Sequence, residues 1–252
     1  MNTFAVISDL HSNLEALTAV FDEIDRRGIK EVFCLGDIVG YGPNPIECLD
    51  MIIDRQVITT MGNHDQASFY EPTNFNAGAE RAAYWVRQCL EEDPDKEKRN
   101  RRWAFLGRLP VKLQVGNMLM VHGSPRKPVT EYIFPDDAYN NSTKLMSIFE
   151  RIEHLCFVGH THVPGVFFDD PDFYPCDEIE YEYFIREDEK AIINVGSVGQ
   201  SRDQDTRASF VIVEDNKIEF VRMEYDLETT VEKILKNPFL DDFEGLRLRE
   251  GR

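Results

Sequence analysis

An unbroken apolar run, "TFAVISDL", opens the chain, the pattern of a strand buried on both faces. The period then changes. In "HSNLEALTAVFDEIDRRG", Leu14, Leu17, Phe21 and Ile24 fall on one helical stripe. Ser12 with Glu15 three residues later has the capping-box pattern, and Gly28 stands where that helix should end. A second apolar run, "EVFCLGD", the helical "PIECLDMIID" and a third run, "VITTMGNHD", complete a β-α-β-α-β alternation. Such alternation predicts a parallel sheet with right-handed crossovers.

Residues 66–108 break that rhythm. "AGAERAAYWVRQCLEE" predicts a helix, "DPDKEKRNRR" a solvated charge run, and "WAFLGRLP" a short helix leading into a turn. With no core of its own, this segment reads as a helical, cap-like excursion over the sheet. From Val111 the pattern is antiparallel: "VKLQV", a "GN" turn, then "MLMVHG". A loop with three prolines and a helix near "STKLMSIFERIEH" lead to the strand "LCFVG". "EYEYFI" and "KAIINVGSVG" predict further strands, and "RASFVIVE" with "KIEFVRMEY" a hairpin around "DN". The tail, 227–252, reads as a short helix followed by a charged, frayed end. The whole chain, 1–252, is expected to form one domain of mixed α/β (α+β) class.

Composition narrows the functions open to such a fold. Of the 252 residues, 42% are hydrophobic and 29% charged, as in soluble globular proteins. The net charge of −18 argues against an extended nucleic-acid or anionic-membrane surface, since both need clustered Lys and Arg. A small anionic substrate stays open where cations, metals included, reverse the field locally. No apolar run approaches the roughly 20 residues of a membrane span. The start lacks the basic n-region of a signal peptide. Five scattered cysteines, never spaced CxxC, fit reduced thiols in the cytoplasm, with Cys34 and Cys156 inside apolar runs as core residues.

The chemistry collects at strand ends. Asp9 and His11 follow the first apolar run and Asp37 the second; Asn63, His64 and Asp65 follow the third. His122 ends the hairpin strand, and His160 and His162 end "LCFVG". Five of the six histidines therefore stand where ligands gather in parallel α/β sheets, and only His154 stands apart, as a structural residue. Solvated turns do not require imidazoles, and burying several without a shared partner is costly. Imidazole and carboxylate suit first-row divalent metals, and the lack of Cys argues against iron–sulfur or thiolate-zinc sites. Alternate residues on an extended segment point the same way, which would let Asp9 and His11 converge, and likewise His160 and His162 through an extended Thr161. Seven candidate ligands exceed what one tetrahedral ion takes. They suit two ions about 3.5–4 Å apart sharing a carboxylate, an arrangement that serves phosphoryl transfer. Asp37, on a central strand, is the best bridging candidate.

"D-L-H", "GDIVGYGP", "GNHD", "VHG" and "GHTH", in this order, resemble the calcineurin-like metallophosphoesterase superfamily. "GDIVGYGPNP" and "NVGSVGQSRD" are closer to its small bacterial and archaeal phosphoesterases than to the large eukaryotic phosphatases. The resemblance implies a four-layer β-sandwich flanked by helices. It implies that Asp9, His11 and His162 bind a first metal, Asn63, His122 and His160 a second, and that Asp37 bridges them. His64 matches a histidine of the family that stabilises charge on the phosphoryl group and assists the leaving oxygen. The nucleophile implied is water or hydroxide on two divalent ions, Mn, Fe, Zn or Ni with Mn favoured, acting on small phosphate esters and on diesters before monoesters. Nucleotide-polyphosphate hydrolysis and a metal-bearing protein scaffold are the alternatives. Arg202, and more weakly Arg126 with Lys127, are candidates for substrate contact. "NVGSVG" is either a phosphate-facing run of N–H groups or a tight turn, Asp65 either orients a neighbour or caps a loop, and Tyr41 belongs at the site rim.

Overall fold

The computed structural model describes residues 3–252, in which two six-stranded sheets are packed face to face and covered by helices. The chain runs β1 (Phe4–Ile7), α1 (Leu14–Arg26), β2 (Glu31–Cys34), α2 (Pro45–Asp54), β3 (Ile58–Thr59), α3 (Asn63–Ala67), α4 (Ala77–Glu92) and α5 (Lys96–Leu106). It continues through β4 (Lys112–Val115), β5 (Met118–Val121), α6 (Asp137–Asn140), α7 (Ser142–Phe149), β6 (Leu155–Val158), β7 (Gly165–Phe168) and β8 (Asp172–Pro175). Then come β9 (Glu182–Phe184), β10 (Ala191–Asn194), β11 (Ala208–Glu214), β12 (Lys217–Met223), α8 (Leu227–Lys236), α9 (Asp242–Leu246) and a 3₁₀ turn, Arg247–Glu250.

The first sheet has the order β3-β2-β1-β11-β12-β9 and the second β4-β5-β6-β10-β7-β8. β1, β2 and β3 are parallel, as the βα alternation predicts, and so are β5, β6 and β10. Side chains alternate between two cores. Phe4, Val6 and Phe33 meet Met120, Leu155 and Phe157 between the sheets, while Ala5, Ile7 and Cys34 face α1 and α2. Cys156 and Val158 turn outward against α7. The result is the expected four layers of helix, sheet, sheet and helix. Each fully buried Leu, Ile or Phe contributes about 1.5–3 kcal/mol to holding them together.

Several local expectations are corrected. Helix α1 is capped by Asn13, whose side chain accepts from the Ala16 N–H, and Ser12 instead takes a left-handed turn with φ 55°. Gly28, at φ 72°, ends the helix as expected. The charge run at 93–102 is not loop. Asp95 caps α5, and Arg102 is buried against Asp50 and Asp93, so polar pairing replaces the missing apolar stripe. Strands β7 and β8 were not evident in the sequence, since Pro and Gly bound four-residue runs too short to show a period. The tail is not frayed: Leu240, Glu244 and Leu248 are buried beside α8, and the Gln204 N–H donates to the Gly251 carbonyl. The excursion packs Val86, Leu90 and Leu106 into the α1–α2 side of the core. Among the described residues no helix is long and apolar enough to cross a membrane.

Candidate metal centre

Asp9, His11, Asp37, His160 and His162 all have φ between 45° and 65°, the left-handed region that non-glycine residues seldom enter. Asp9 with His11, and His160 with His162, therefore converge through left-handed turns at the strand ends, not through the extended alternation expected from their spacing. Such conformations persist only where their surroundings fix them. The His11 N–H donates to the Asp37 carbonyl and the Asp9 N–H to the Gly36 carbonyl, pinning the end of β1 to that of β2. Close backbone approach does the rest. A Cβ at Gly62 would lie 2.0 Å from Asp37 Oδ1, and one at Gly159 2.3 Å from Asp9 Oδ2.

These turns bring all seven predicted ligands into one buried cluster. His162 Nε2 lies 3.1 Å from Asp9 Oδ1 and 3.2 Å from His11 Nε2. His122 Nε2 lies 3.0 Å from both Asn63 Oδ1 and His160 Nδ1, and 3.4 Å from Asp37 Oδ2. Three triads result: Asp9–His11–His162, His11–Asp37–His64 and Asp37–His122–His160. Asp37 belongs to two of them, one on each side. His64 comes as close as the ligands do, so distance alone does not separate its role from theirs.

The donors fit cations. Burial, then the charge of Arg202, pushes His162 down to about 4. Burial also holds His11, His64, His122 and His160 low, with neighbouring histidines adding to it at all but His122, so these rings are neutral and offer lone pairs. The Nδ1–H of His162 is committed to the Gln200 carbonyl at 2.5 Å, which turns the Nε2 lone pair toward Asp9 Oδ1. Two acceptors 3.1 Å apart repel unless positive charge joins them. Asp9 Oδ1, His11 Nδ1, His122 Nδ1 and His160 Nε2 are buried without a hydrogen-bond partner. Burial, then the charges of Asp9 and Asp65, push Asp37 well above the usual carboxylate range. Burial opposes ionisation of Asp9 too, and His162, His122 and His11 hold it low only through positive charge that neutral rings do not carry. Divalent ions held here would relieve the conflicts at Asp9 Oδ1, at Asp37 and among the ring nitrogens that face the cluster.

Asp65 proves more than a loop cap. Its carboxylate accepts from the backbone N–H groups of Asp37, Ile38, Val39 and Gly62, and so holds the turn that presents Asp37. His64 donates its own N–H to Asp37 Oδ1 at 2.8 Å, and its ring is held by Tyr41 and Phe75. "NVGSVG" is resolved in favour of the turn. The Val198 and Gly199 N–H groups bond the Ser8 and Asp9 carbonyls, and the Ser197 hydroxyl donates to the Asp9 carbonyl, so these groups brace β1. Arg202 lies beside the cluster, with its guanidinium 5.9 Å from the Tyr41 ring and its charge lowering His11, His64 and His162. Arg126 is instead clasped by Glu131, with Nε 3.0 Å from Oε2. His154 bonds Asn117 and the Arg186 carbonyl, away from the cluster.

Sequence reasoning missed four residues. Gln200 accepts from Arg202 and donates to the buried carboxylate of Glu244, which ties the tail to the site. Tyr132 stacks on His160 with ring centroids 3.6 Å apart, and Phe75 packs on His64 at 4.6 Å. None of these sits at a strand end or carries a periodic signal. For Gln200, its place two residues before Arg202 was the only hint.

The comparisons agree with this picture. The calcineurin-like phosphoesterase superfamily domain matches residues 2–217, and the chain belongs to that family. An uncharacterized protein of Methanocaldococcus jannaschii is 39% identical, covering 98% of each chain. The crystal structure of a metallophosphoesterase from Sphaerobacter thermophilus superposes with a TM-score of 0.81 at 33% identity, over 99% of this chain and 100% of that one. A hypothetical protein from Pyrococcus horikoshii shares the fold, with a TM-score of 0.76 at 21% identity over 100% of this chain and 99% of its own. The family implies phosphoester hydrolysis with divalent metals, and the Asp/His triads are groups that can bind them.

Proposed function

We propose that the chain is a two-metal hydrolase of small phosphodiesters. The observation that carries the reading is Asp37, a buried carboxylate shared by the His11–His64 and His122–His160 groups. Asp9, His11 and His162 would hold one ion, Asn63, His122 and His160 the other, and Asp37 both, with manganese the ion of choice. Bound ions of this kind supply charge that polarises a phosphoryl group and acidifies a water toward neutral pH. The chain's own residues do the positioning. The Gln200 carbonyl fixes the tautomer of His162, as outer partners of metal-bound histidines generally do. His64, held between Tyr41 and Phe75, is placed to hydrogen-bond the phosphoryl group and the leaving oxygen through its ring N–H. Arg202 adds a positive charge beside the cluster that suits a phosphate ester of either kind, and the diester preference follows the resemblance to the family's small members.

The test is hydrolysis of bis-p-nitrophenyl phosphate and p-nitrophenyl phosphate by protein stripped of metal and reloaded with manganese. We expect two metal equivalents per chain, faster turnover of the diester, and loss of at least 100-fold in kcat for Asp37→Ala and His64→Ala. Full activity without metal, or in Asp37→Ala, would overturn the mechanism. Faster monoester turnover would overturn the diester assignment.

A further inference from the structure

Beside the cluster lies a cleft of about 220 Å³ that the ligand set does not explain. Its floor includes Asn63, His64 and His160, so any group seated there adjoins the reacting phosphate of the proposed reaction. Its walls are aromatic. Tyr41 and Phe75 pack round His64, with ring centroids at 4.4 and 4.6 Å, while Tyr132 stacks on His160 at 3.6 Å and 17°. Phe134 extends that second wall, stacked on Tyr132 at 5.1 Å and 8°. Tyr132 and Phe134 remain 38% and 49% exposed, so the ladder of rings runs from solvent to the site. The rim is uncharged and polar, with Thr73 and Asn74 exposed on the excursion and Thr130 on the proline loop.

We infer that this cleft is a subsite for a planar heteroaromatic ring with polar edges, carried on the phosphate as in a nucleotide. The inference rests on the phosphoesterase reading and deepens it. Flat rings lining a cleft bury a flat ligand far better than an alkyl chain or a sugar, and the edges of stacked rings prefer offset or tilted partners. Amide and hydroxyl groups at the rim can both donate to and accept from the edge of a base. Charge limits the ligand's length: at −18 the chain repels a long polyanion, so a mono- or dinucleotide fits and a polynucleotide does not.

Adenosine 5′-monophosphate and ribose 5-phosphate separate the ring from the phosphate. Both would be measured as competitive inhibitors of bis-p-nitrophenyl phosphate hydrolysis by the manganese-loaded full chain. Binding of adenosine, which has no phosphate, would be followed separately by saturation-transfer NMR. Stacking of one base is expected to make the nucleotide bind about fivefold or more tighter than the sugar phosphate. Phe75→Leu and Tyr132→Leu should each shrink that ratio toward one, and a ratio cancels any change they cause in metal binding. Adenosine ring protons should show saturation transfer that both variants weaken. Equal inhibition by the two phosphates, or a ratio untouched by both variants, overturns the subsite. Absence of diester hydrolysis with adenosine still bound overturns the proposed function and leaves the subsite standing.

Discussion

Asp65 shows how a residue that never touches the reaction can decide whether the site exists. Its Oδ2 accepts from Asp37 and Gly62, and its Oδ1 from Ile38 and Val39. Burial pushes its carboxyl up to about 6, against the pull of those four N–H groups. In Asp65→Asn, whichever way the amide faces, two buried N–H donors lose their acceptor. We expect a loss of about 2–4 kcal/mol in stability, a fall in Tm on the order of 10 °C, and manganese binding weakened about 10–100-fold. Calorimetry and metal titration of the variant check this, and an unchanged Tm would refute it. At this scale the candidate ligands were legible as a group because each is a polar residue ending an apolar strand. The brace was legible only as a residue of unsettled role, because its four partners are backbone groups brought near by the fold. The left-handed turns were hidden for a related reason. Asp and His enter that region more readily than most residues, but still in a small minority of cases, so residue type alone does not announce it.

Elements were readable wherever apolar periodicity decided them. The bounds of α2 and α4 coincide with "PIECLDMIID" and "AGAERAAYWVRQCLEE". Helix α5 escaped because its first two turns are held by caps and ion pairs, with Arg102 only 2% exposed between Asp50 and Asp93. Helix α1 uses the same device at its other end. Glu23 accepts from Arg26 and Arg27, each at 2.6 Å, and the two guanidinium groups hold its carboxyl down at about 2 against a model-peptide value of 4.5. A depressed carboxyl contributes stability that is complete above pH 4.5 and disappears as the pH falls through about 2. Arg26 is largely solvated, which screens the pair, so Glu23→Gln should cost about 1 kcal/mol at pH 7. Urea denaturation across a pH series should show wild type and variant converging between pH 5 and pH 2. A gap that stays constant over that range would mean the carboxylate is not the source.

For the whole molecule, the informative fact is where the ligands come from. Asp9, His11, Asp37 and Asn63 follow strands of one sheet, and His122, His160 and His162 follow strands of the other. Manganese bound across them, as proposed, would stabilise only the state in which the sheets are docked. At 100 times its dissociation constant it should add about 2.7 kcal/mol, roughly 5–10 °C in Tm for a chain of this length, and a chelator should remove that gain. A Tm indifferent to manganese would show that the cluster binds none. The residues that each sheet brings to the cluster were legible in the sequence, because strand ends are local. The tail's part, in which Glu244 reaches Gln200 and through it Arg202, was not, because that contact joins segments with no shared pattern.

The seam between the sheets has a kinetic side as well. Asp9 and His160 stand 151 residues apart in the chain yet share a hydrogen bond, so their meeting closes a long loop between the two sheets. Because it joins the ends of strands in different sheets, we expect this contact to form only after both sheets are built. A metal held there acts as a latch rather than a nucleus. Manganese should therefore leave the refolding limb of a chevron almost unmoved and lower the unfolding rate, lengthening the life of the native state in proportion to its binding energy.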